Sequence, residues 1–417
     1  MTAGVSGSYV GYLAQRMFLG DAARDRKLKA THEKAAKRIT SELGALRGPA
    51  MKLGQALSLQ SGMLPDEMLA ELASLQAGAP PMHASLVRAQ VKGSLGDYPD
   101  VLFREFDATP FAAASLGQVH HAVTHRGERV AVKIQYPAIR DAIAADFRWF
   151  RAFSKTSQLS RVFPDVVVSE LETQISAETD YVREAEDIER FREWLKPLAH
   201  VRVPRVYRKY SSDRVITMSL LEGEHVDRFL ARRPTQQQRD ELGERLTELY
   251  YFQVLRLEAF HADPHWGNYL FGADGSIGLV DFGAVKRLPS AFVENLRQVF
   301  LFPGDREGPE FAALLEQRFA MFGIELKPKS RAAHVRFARD FYGSVYPPEA
   351  EKENTRIDFA DAAILKLYLR LSTEFLHKQA VLPEYVMLGR AETGLYQTLH
   401  KLRARVRTSR IVRRQLL

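Results

Sequence analysis

Two short polar segments constrain this chain more than anything else in it: His261-Ala-Asp-Pro-His-Trp-Gly-Asn268 and Leu279-Val-Asp-Phe-Gly283. Asp263 and Asn268 stand five positions apart, and Asp281 follows Asp263 by eighteen. The reading is a loop rich in ligand-bearing side chains, a short strand, then a second acidic loop. Phosphoryl transfer asks for such a set: an acid that orients the acceptor, an amide oxygen as metal ligand, and a second acid holding Mg²⁺ against the phosphates. Either segment alone reads as an ordinary loop. Both together, in this order, point to that chemistry.

The pair shares the internal grammar of the protein-kinase motifs H-R-D-x-x-x-x-N and D-F-G. That grammar makes a demand upstream, for a strand carrying one Lys behind a loop that covers the phosphates. Arg129-Val-Ala-Val-Lys133-Ile-Gln meets the first part, as a β-branched strand matching V-A-I-K in type. A buried ammonium there needs a partner, because burying it alone is costly. The expected phosphate loop is Phe111-Ala-Ala-Ala-Ser-Leu-Gly-Gln-Val119, with Ala112, Ala113, Ala114, Ser115 and Gly117 as nucleotide-contacting positions. Only Gly117 offers the backbone freedom that G-x-G-x-x-G has in three places. Nucleotide geometry and affinity should therefore differ from those of ordinary protein kinases.

A-A-A-S-L-G-Q-V-H, V-A-V-K, H-A-D-P-H-x-G-N and D-F-G together resemble the UbiB/AarF-type atypical kinases associated with ubiquinone biosynthesis. Two further motifs of that family are present, K-x-G-Q as Lys52-Leu-Gly-Gln55 and E-x-D as Glu178-Thr-Asp180. The resemblance covers roughly residues 35 to 300. Trp266 departs from it, standing where the family usually has Pro, but no charged ligand is lost. The resemblance implies a two-lobed, protein-kinase-like α+β fold, with a β-rich N-lobe, a mainly helical C-lobe and an N-terminal helical extension. It implies ATP or ADP with Mg²⁺ as cofactor. Lys133 would hold the phosphates and pair with Glu184, with Glu186 and Glu189 as alternatives. Asn268 and Asp281 would be metal ligands, and Asp263 the positioning or basic residue. His261 and His265 read as structural loop residues. Lys52, Gly54 and Gln55 would lie on a helix over the site, with Lys52 near Glu178 and Asp180, limiting access for protein substrates.

The remaining composition sets limits. With no Cys among 417 residues, disulfides and thiolate metal sites are excluded. No apolar run is long enough for a transmembrane helix, and the N-terminus lacks a signal-peptide pattern. The net charge of +8 is concentrated at the ends: residues 1–60 hold ten Lys/Arg against four acids, and residues 401–417 hold seven and no acid. Both segments carry apolar residues, Tyr9, Leu13 and Met17 in one and Val406, Ile411, Val412, Leu416 and Leu417 in the other. Basic amphipathic stretches favour anionic membrane surfaces, so peripheral association from the cytoplasmic side is expected, with solvated termini as the alternative. Nucleic-acid binding fits worse, for want of aromatics and motifs.

Charge sets off a basic segment 1–30 and a basic tail 401–417, and between them the resemblance implies a helical extension 31–108, an N-lobe 109–222 and a C-lobe 223–400; hydrophobic periodicity fills in the elements. It predicts a helix from His83 to Ser94, strands near 117–124 and 129–135, and helix from Pro137 to Leu195 with a break near Pro164. It predicts strands at Val201–Val206 and Arg214–Ser219, a hinge at Leu220–Gly223, and a helix from Thr235 to Ala259. Residues 289–400 read as mostly helical, with no A-P-E element and no peptide-binding platform. The functional expectation is a small-molecule or lipid kinase, or an ATPase, supporting quinone biosynthesis. The alternative is a nucleotide-binding scaffold for a quinone-biosynthesis enzyme assembly, without turnover.

Overall fold

The computed structural model describes residues 81–416 except 115, 156–164, 264–265, 304–307, 322–330, 333–334, 337–339, 341–344, 347–353 and 378–382. The basic segment 1–30, and with it Lys52, Gly54, Gln55, Ser115, His265 and Leu417, lies outside the described residues. The chain divides into two compact units. The first holds residues up to Glu186 together with Arg205–Leu220, and the second Asp187–Pro204 with Leu221–Leu417.

The first unit opens with helix α1, Ala84–Leu95, and the short α2, Pro99–Leu102. Strands β1 (Glu105–Phe106), β2 (Ala112–Ala114), β3 (Gly117–Val123) and β4 (Arg129–Gln135) follow. Next come helices α3 (Ile139–Lys155), α4 (Asp165–Ala177) and α5 (Tyr181–Trp194), whose later turns belong to the second unit, as does β5 (Val201–Arg202); β6 (Val215–Ser219) returns to the first. The sheet runs β1-β3-β4-β6 with β2 also on β3, and every pairing is antiparallel. Alternation along β4 sends Val130, Val132 and Ile134 to one face. There they pack with Val87 and Val91 of α1, Phe103, Ala122 and Val215. So α1, expected in the extension, instead completes the core of the first unit: its apolar stripe needs the sheet to bury it. Lys133 faces the other way.

Two local readings are corrected. The alanine stretch is strand rather than loop, since Ala112, Ala113 and Ala114 pair with Val119, Gln118 and Gly117. Gly117 has a packing reason of its own: a Cβ there would run into the Ile134 carbonyl and lie 3.0 Å from the Tyr181 hydroxyl. The helix expected to run on to Leu195 breaks a second time, at Glu178–Asp180. Asp180 Oδ1 accepts from the Arg183 amide at 3.1 Å, an N-cap that restarts the chain as α5.

In the second unit α6 (Val226–Ala231) precedes α7 (Gln236–Leu255), whose start is fixed by a capping box between Thr235 and Gln238. Strands β7 (Ala259–His261), β8 (Tyr269–Phe271), β9 (Ile277–Leu279) and β10 (Val285–Arg287) come next. They make two small sheets, β7 with β10 and β5-β9-β8, with β5 parallel to β9. The predicted strand 201–206 is thus split at Pro204: Val201 pairs with Ile277, while Val206 bridges to Met218 in the first unit. A cut at residue 222 misses this return. Helices α8 (Ser290–Phe300) and α9 (Pro309–Ala320) follow, then β11 (Ile357–Asp358), α10 (Ala362–His377), α11 (Pro383–Leu402), β12 (Arg405–Val406) and α12 (Thr408–Leu416).

The tail is built into this unit. Val406, Ile411 and Val412 are buried, which removes them from any bilayer-facing surface. Asp240, Glu244 and Glu248 are spaced by four along α7 and so share one face. Asp240 accepts from the Arg405 amide and from Arg356, Glu244 takes Arg407 through two bonds of 2.7 and 2.6 Å, and Glu248 takes Arg414. Arg407 and Arg414 of the tail therefore answer an acidic helix face. Gly243 lets the two approach, because a Cβ there would meet the Ala404 Cβ at 2.6 Å.

Glu392 of α11 is buried and accepts from Tyr251 at 3.0 Å and Tyr396 at 2.9 Å. Tyr346 in turn bonds Tyr251 and Tyr396. Burial pushes the Glu392 carboxyl from 4.5 up to about 7, with the tyrosine hydroxyls opposing it. A folded-state value above the unfolded one adds stability that is full below about pH 4.5 and is lost as pH rises to about 7. Glu392→Gln removes that dependence. Denaturant titrations at pH 5 and pH 8 should show wild type losing roughly 2–3 kcal/mol more than the variant over this span. Parallel behaviour of the two chains would contradict it.

Candidate active site

In the first unit the site begins at Lys133, on β4 between Val119 and Ile216 of the neighbouring strands. Its Nζ donates to Glu184 Oε1 at 2.6 Å, and the two side chains are 8% and 1% exposed. Glu184, rather than Glu186 or Glu189, is thus the carboxylate on Lys133. The helix that presents it is fixed at its start. Gln135 Nε2, also on β4, and Arg140 each donate to the Thr179 carbonyl at 2.9 Å, and the Thr179 hydroxyl donates to the Ser176 carbonyl. The Glu178–Asp180 turn is therefore tied to the strand that carries Lys133. Sequence reading missed Gln135, whose only signal was a polar residue ending an otherwise apolar strand.

In the second unit the two motif segments leave adjacent strands. His261 pairs with Val285 across β7 and β10, and the Ala262 amide donates to the Ala284 carbonyl at 2.7 Å. His261 is buried. Its Nδ1 meets the Asp263 carbonyl at 3.1 Å, its Nε2 meets the Asp281 carbonyl, and its amide donates to Gln253 Oε1 at 3.0 Å. The imidazole thus joins the two acidic loops through their backbones and leaves both carboxylates outside the joint. Gln253 had no sequence signal.

Asn268 Nδ2 donates to Asp263 Oδ2 at 2.9 Å, and the Val280 amide donates to the Asn268 carbonyl at 3.2 Å. Asp281 Oδ1 accepts from the Gly283 amide at 2.9 Å. Beside Asp263, the Tyr269 phenol is pushed up by burial first and by the Asp263 charge second. Among the described residues no group of three or more His, Cys, Asp or Glu is gathered for a metal. Asn268, with its nitrogen committed to Asp263, has its amide oxygen left to offer. That oxygen and the Asp281 carboxylate are hard ligands of the kind Mg²⁺ takes in ones and twos, completed by phosphate and water.

The chain is similar to known proteins over most of its length. Residues 74–307 match the ABC1 atypical kinase-like domain. The chain is 32% identical over 302 residues to atypical kinase COQ8, mitochondrial, of Saccharomyces cerevisiae, covering 72% of this chain and 60% of that protein. It is 32% identical over 280 residues to the chloroplastic protein ACTIVITY OF BC1 COMPLEX KINASE 7 of Arabidopsis thaliana, covering 66% and 40%. The match thus spans less than two thirds of these relatives' length. The structure of Rv3197 of Mycobacterium tuberculosis, solved in complex with erythromycin, superposes with a TM-score of 0.61 at 27% identity, covering 93% of this chain and 97% of that one. With the fold kinase-like and more than half of the sequence matched, the chain belongs to the ABC1 atypical kinase-like family.

Proposed function

We propose that this chain binds ATP or ADP with Mg²⁺ and acts as a kinase or ATPase on a small molecule or lipid, in support of ubiquinone biosynthesis. The observation that carries the reading is the buried Lys133–Glu184 pair, joined at 2.6 Å across 51 positions of sequence. Hydrophobic residues of similar volume often stabilise a fold as well as a buried ion pair does. Retaining the pair makes sense if Lys133 has phosphates to hold, with Glu184 orienting it.

Asp263, held by Asn268, is the group to orient an acceptor hydroxyl or water and take its proton. Asn268 and Asp281 are the residues to hold Mg²⁺, which when bound neutralises charge on the phosphates. A small substrate is favoured because the chain passes from Gly283 through β10 to α8 at Ser290. That leaves little room for a peptide platform. The Rv3197 structure with erythromycin is a precedent for small-molecule binding on this fold.

No helix of the described residues is long and apolar enough to cross a membrane. Exposed Arg403, Arg405, Arg410 and Arg414 suit reversible, salt-sensitive contact with the inner face of an anionic membrane, near quinone-biosynthesis proteins. Each contributes about 1 kcal/mol at most.

The test compares ATP hydrolysis by wild type and Asp263→Asn, with and without anionic vesicles and a phenolic precursor. It adds complementation of quinone synthesis in cells lacking their own homologue. Turnover should fall by about 10²–10⁴ in the variant, as for loss of a general base, and complementation should fail. Full complementation by Asp263→Asn would replace this reading with that of a nucleotide-binding scaffold.

A further inference from the structure

Beside the Lys133–Glu184 pair lies an aromatic ring that neither the motifs nor the pairing explains. Tyr181 is the first residue of α5 and is fully buried. Its ring centroid is 5.2 Å from Lys133 Nζ, with the ammonium over the ring. Its hydroxyl reaches the start of β3, where the absence of a side chain at Gly117 makes room for it. We propose that Tyr181 is a positioning residue for Lys133, its ring face holding the ammonium in place against the Glu184 carboxylate.

The chemistry favours this role. Lys133 carries its ammonium on a flexible four-carbon stem, and Glu184 holds it at 2.6 Å. A ring quadrupole attracts a cation over its face, and the attraction strengthens when water is excluded. Buried as it is, the ring adds a restraint without competing for the N–H donors that phosphate oxygens would need. The placement of Tyr181 is itself fixed, since Asp180 caps α5 and Gln135 and Arg140 hold Thr179. The E-x-D turn thus sets the ring, and the ring sets the lysine. Its consequence for nucleotide affinity rests on the reading of Lys133 as the phosphate-binding lysine; the restraint itself does not.

The experiment therefore has two readouts. The first is acetylation of Lys133 by acetic anhydride in the absence of nucleotide, followed by mass spectrometry with exposed lysines as internal references. The second is the affinity for Mg-ADP relative to adenosine, which lacks the phosphates that Lys133 would hold. Tyr181→Phe keeps the ring and should match wild type in both. Tyr181→Leu should acetylate Lys133 at least about fivefold faster and weaken Mg-ADP by a similar factor, at unchanged adenosine affinity. Because Leu leaves a void that could unfold the unit, a graded series accompanies it: 4-fluoro-, 3,5-difluoro- and pentafluorophenylalanine at 181 hold the shape while draining the ring face of charge. A stepwise rise in acetylation across the series is expected. A flat response across it, or equal losses of ADP and adenosine affinity in Tyr181→Leu, would overturn the proposal. Faster acetylation in a chain that binds no nucleotide at all would uphold the restraint and reject the nucleotide reading instead.

Discussion

Asp281→Asn should abolish most of the thermal stabilisation that Mg-ATP gives the wild-type chain. The substitution is narrow by design. Asp281 Oδ1 accepts from the Gly283 amide at 2.9 Å, and an Asn oxygen can accept the same bond, so the turn into Phe282 and Gly283 is kept. Phe282 stays buried against Phe191 and the His261 ring, both in edge contact. What is lost is one negative charge from the proposed metal site, where few protein ligands make each charge matter most. Ligand at a hundred times its dissociation constant stabilises a fold by about 2.7 kcal/mol. A hundredfold loss of affinity would leave less than about 0.5 kcal/mol at the same concentration. Melting curves with Mg-ATP, with ATP and EDTA, and without ligand measure this directly. Equal stabilisation of the two chains would remove Asp281 from the metal site.

Val412→Asp separates two accounts of the basic tail. If the tail is a structural element of the second unit, the new carboxylate is forced into a site where Val412 is 2% exposed. Burying it unpaired, and losing the apolar contacts, should cost roughly 3–5 kcal/mol. That is a large share of the 5–15 kcal/mol typical of a folded domain. If the tail instead detaches to insert its apolar face into lipid, the same change would leave stability alone and weaken vesicle binding. Denaturant midpoints together with flotation on anionic vesicles distinguish the two. Lower stability with unchanged flotation is expected, and the reverse result would restore the membrane role of Val406, Ile411 and Val412. Arg407→Ala should show a smaller loss in the same direction, because its pairing with Glu244 is only partly shielded from solvent.

Much of the candidate site was legible in the primary structure. Lys133, Asp263, Asn268 and Asp281 carry chemistry whose residue types and order are restrictive, and β4 announced itself by its run of β-branched residues. The helices expected from His83 to Ser94 and from Thr235 to Ala259 are likewise readable from spacing, but the second ends at Leu255, and Ala259 already belongs to β7. What failed to read were features whose meaning depends on a distant partner. Arg407 and Arg414 look like plain surface charge until Glu244 and Glu248 are seen on one face of α7. Val406, Ile411 and Val412 likewise look amphipathic in isolation and are core in the fold. Gly117 reads as freedom for a phosphate loop, yet the backbone of β4 requires it.

The sequence by itself determined the chemical inventory, the kinase-like order of strand lysine, acidic loop and second acidic loop, and the family. Local propensity and motif spacing suffice for these, because they act over a few residues at a time. Tertiary structure decided which carboxylate meets Lys133, which ring lies beside it, how His261 joins the two acidic loops, and where the tail belongs. Each of these is a contact across many positions of chain. Its energy comes from burial and desolvation, and a sequence does not display those until the chain has folded.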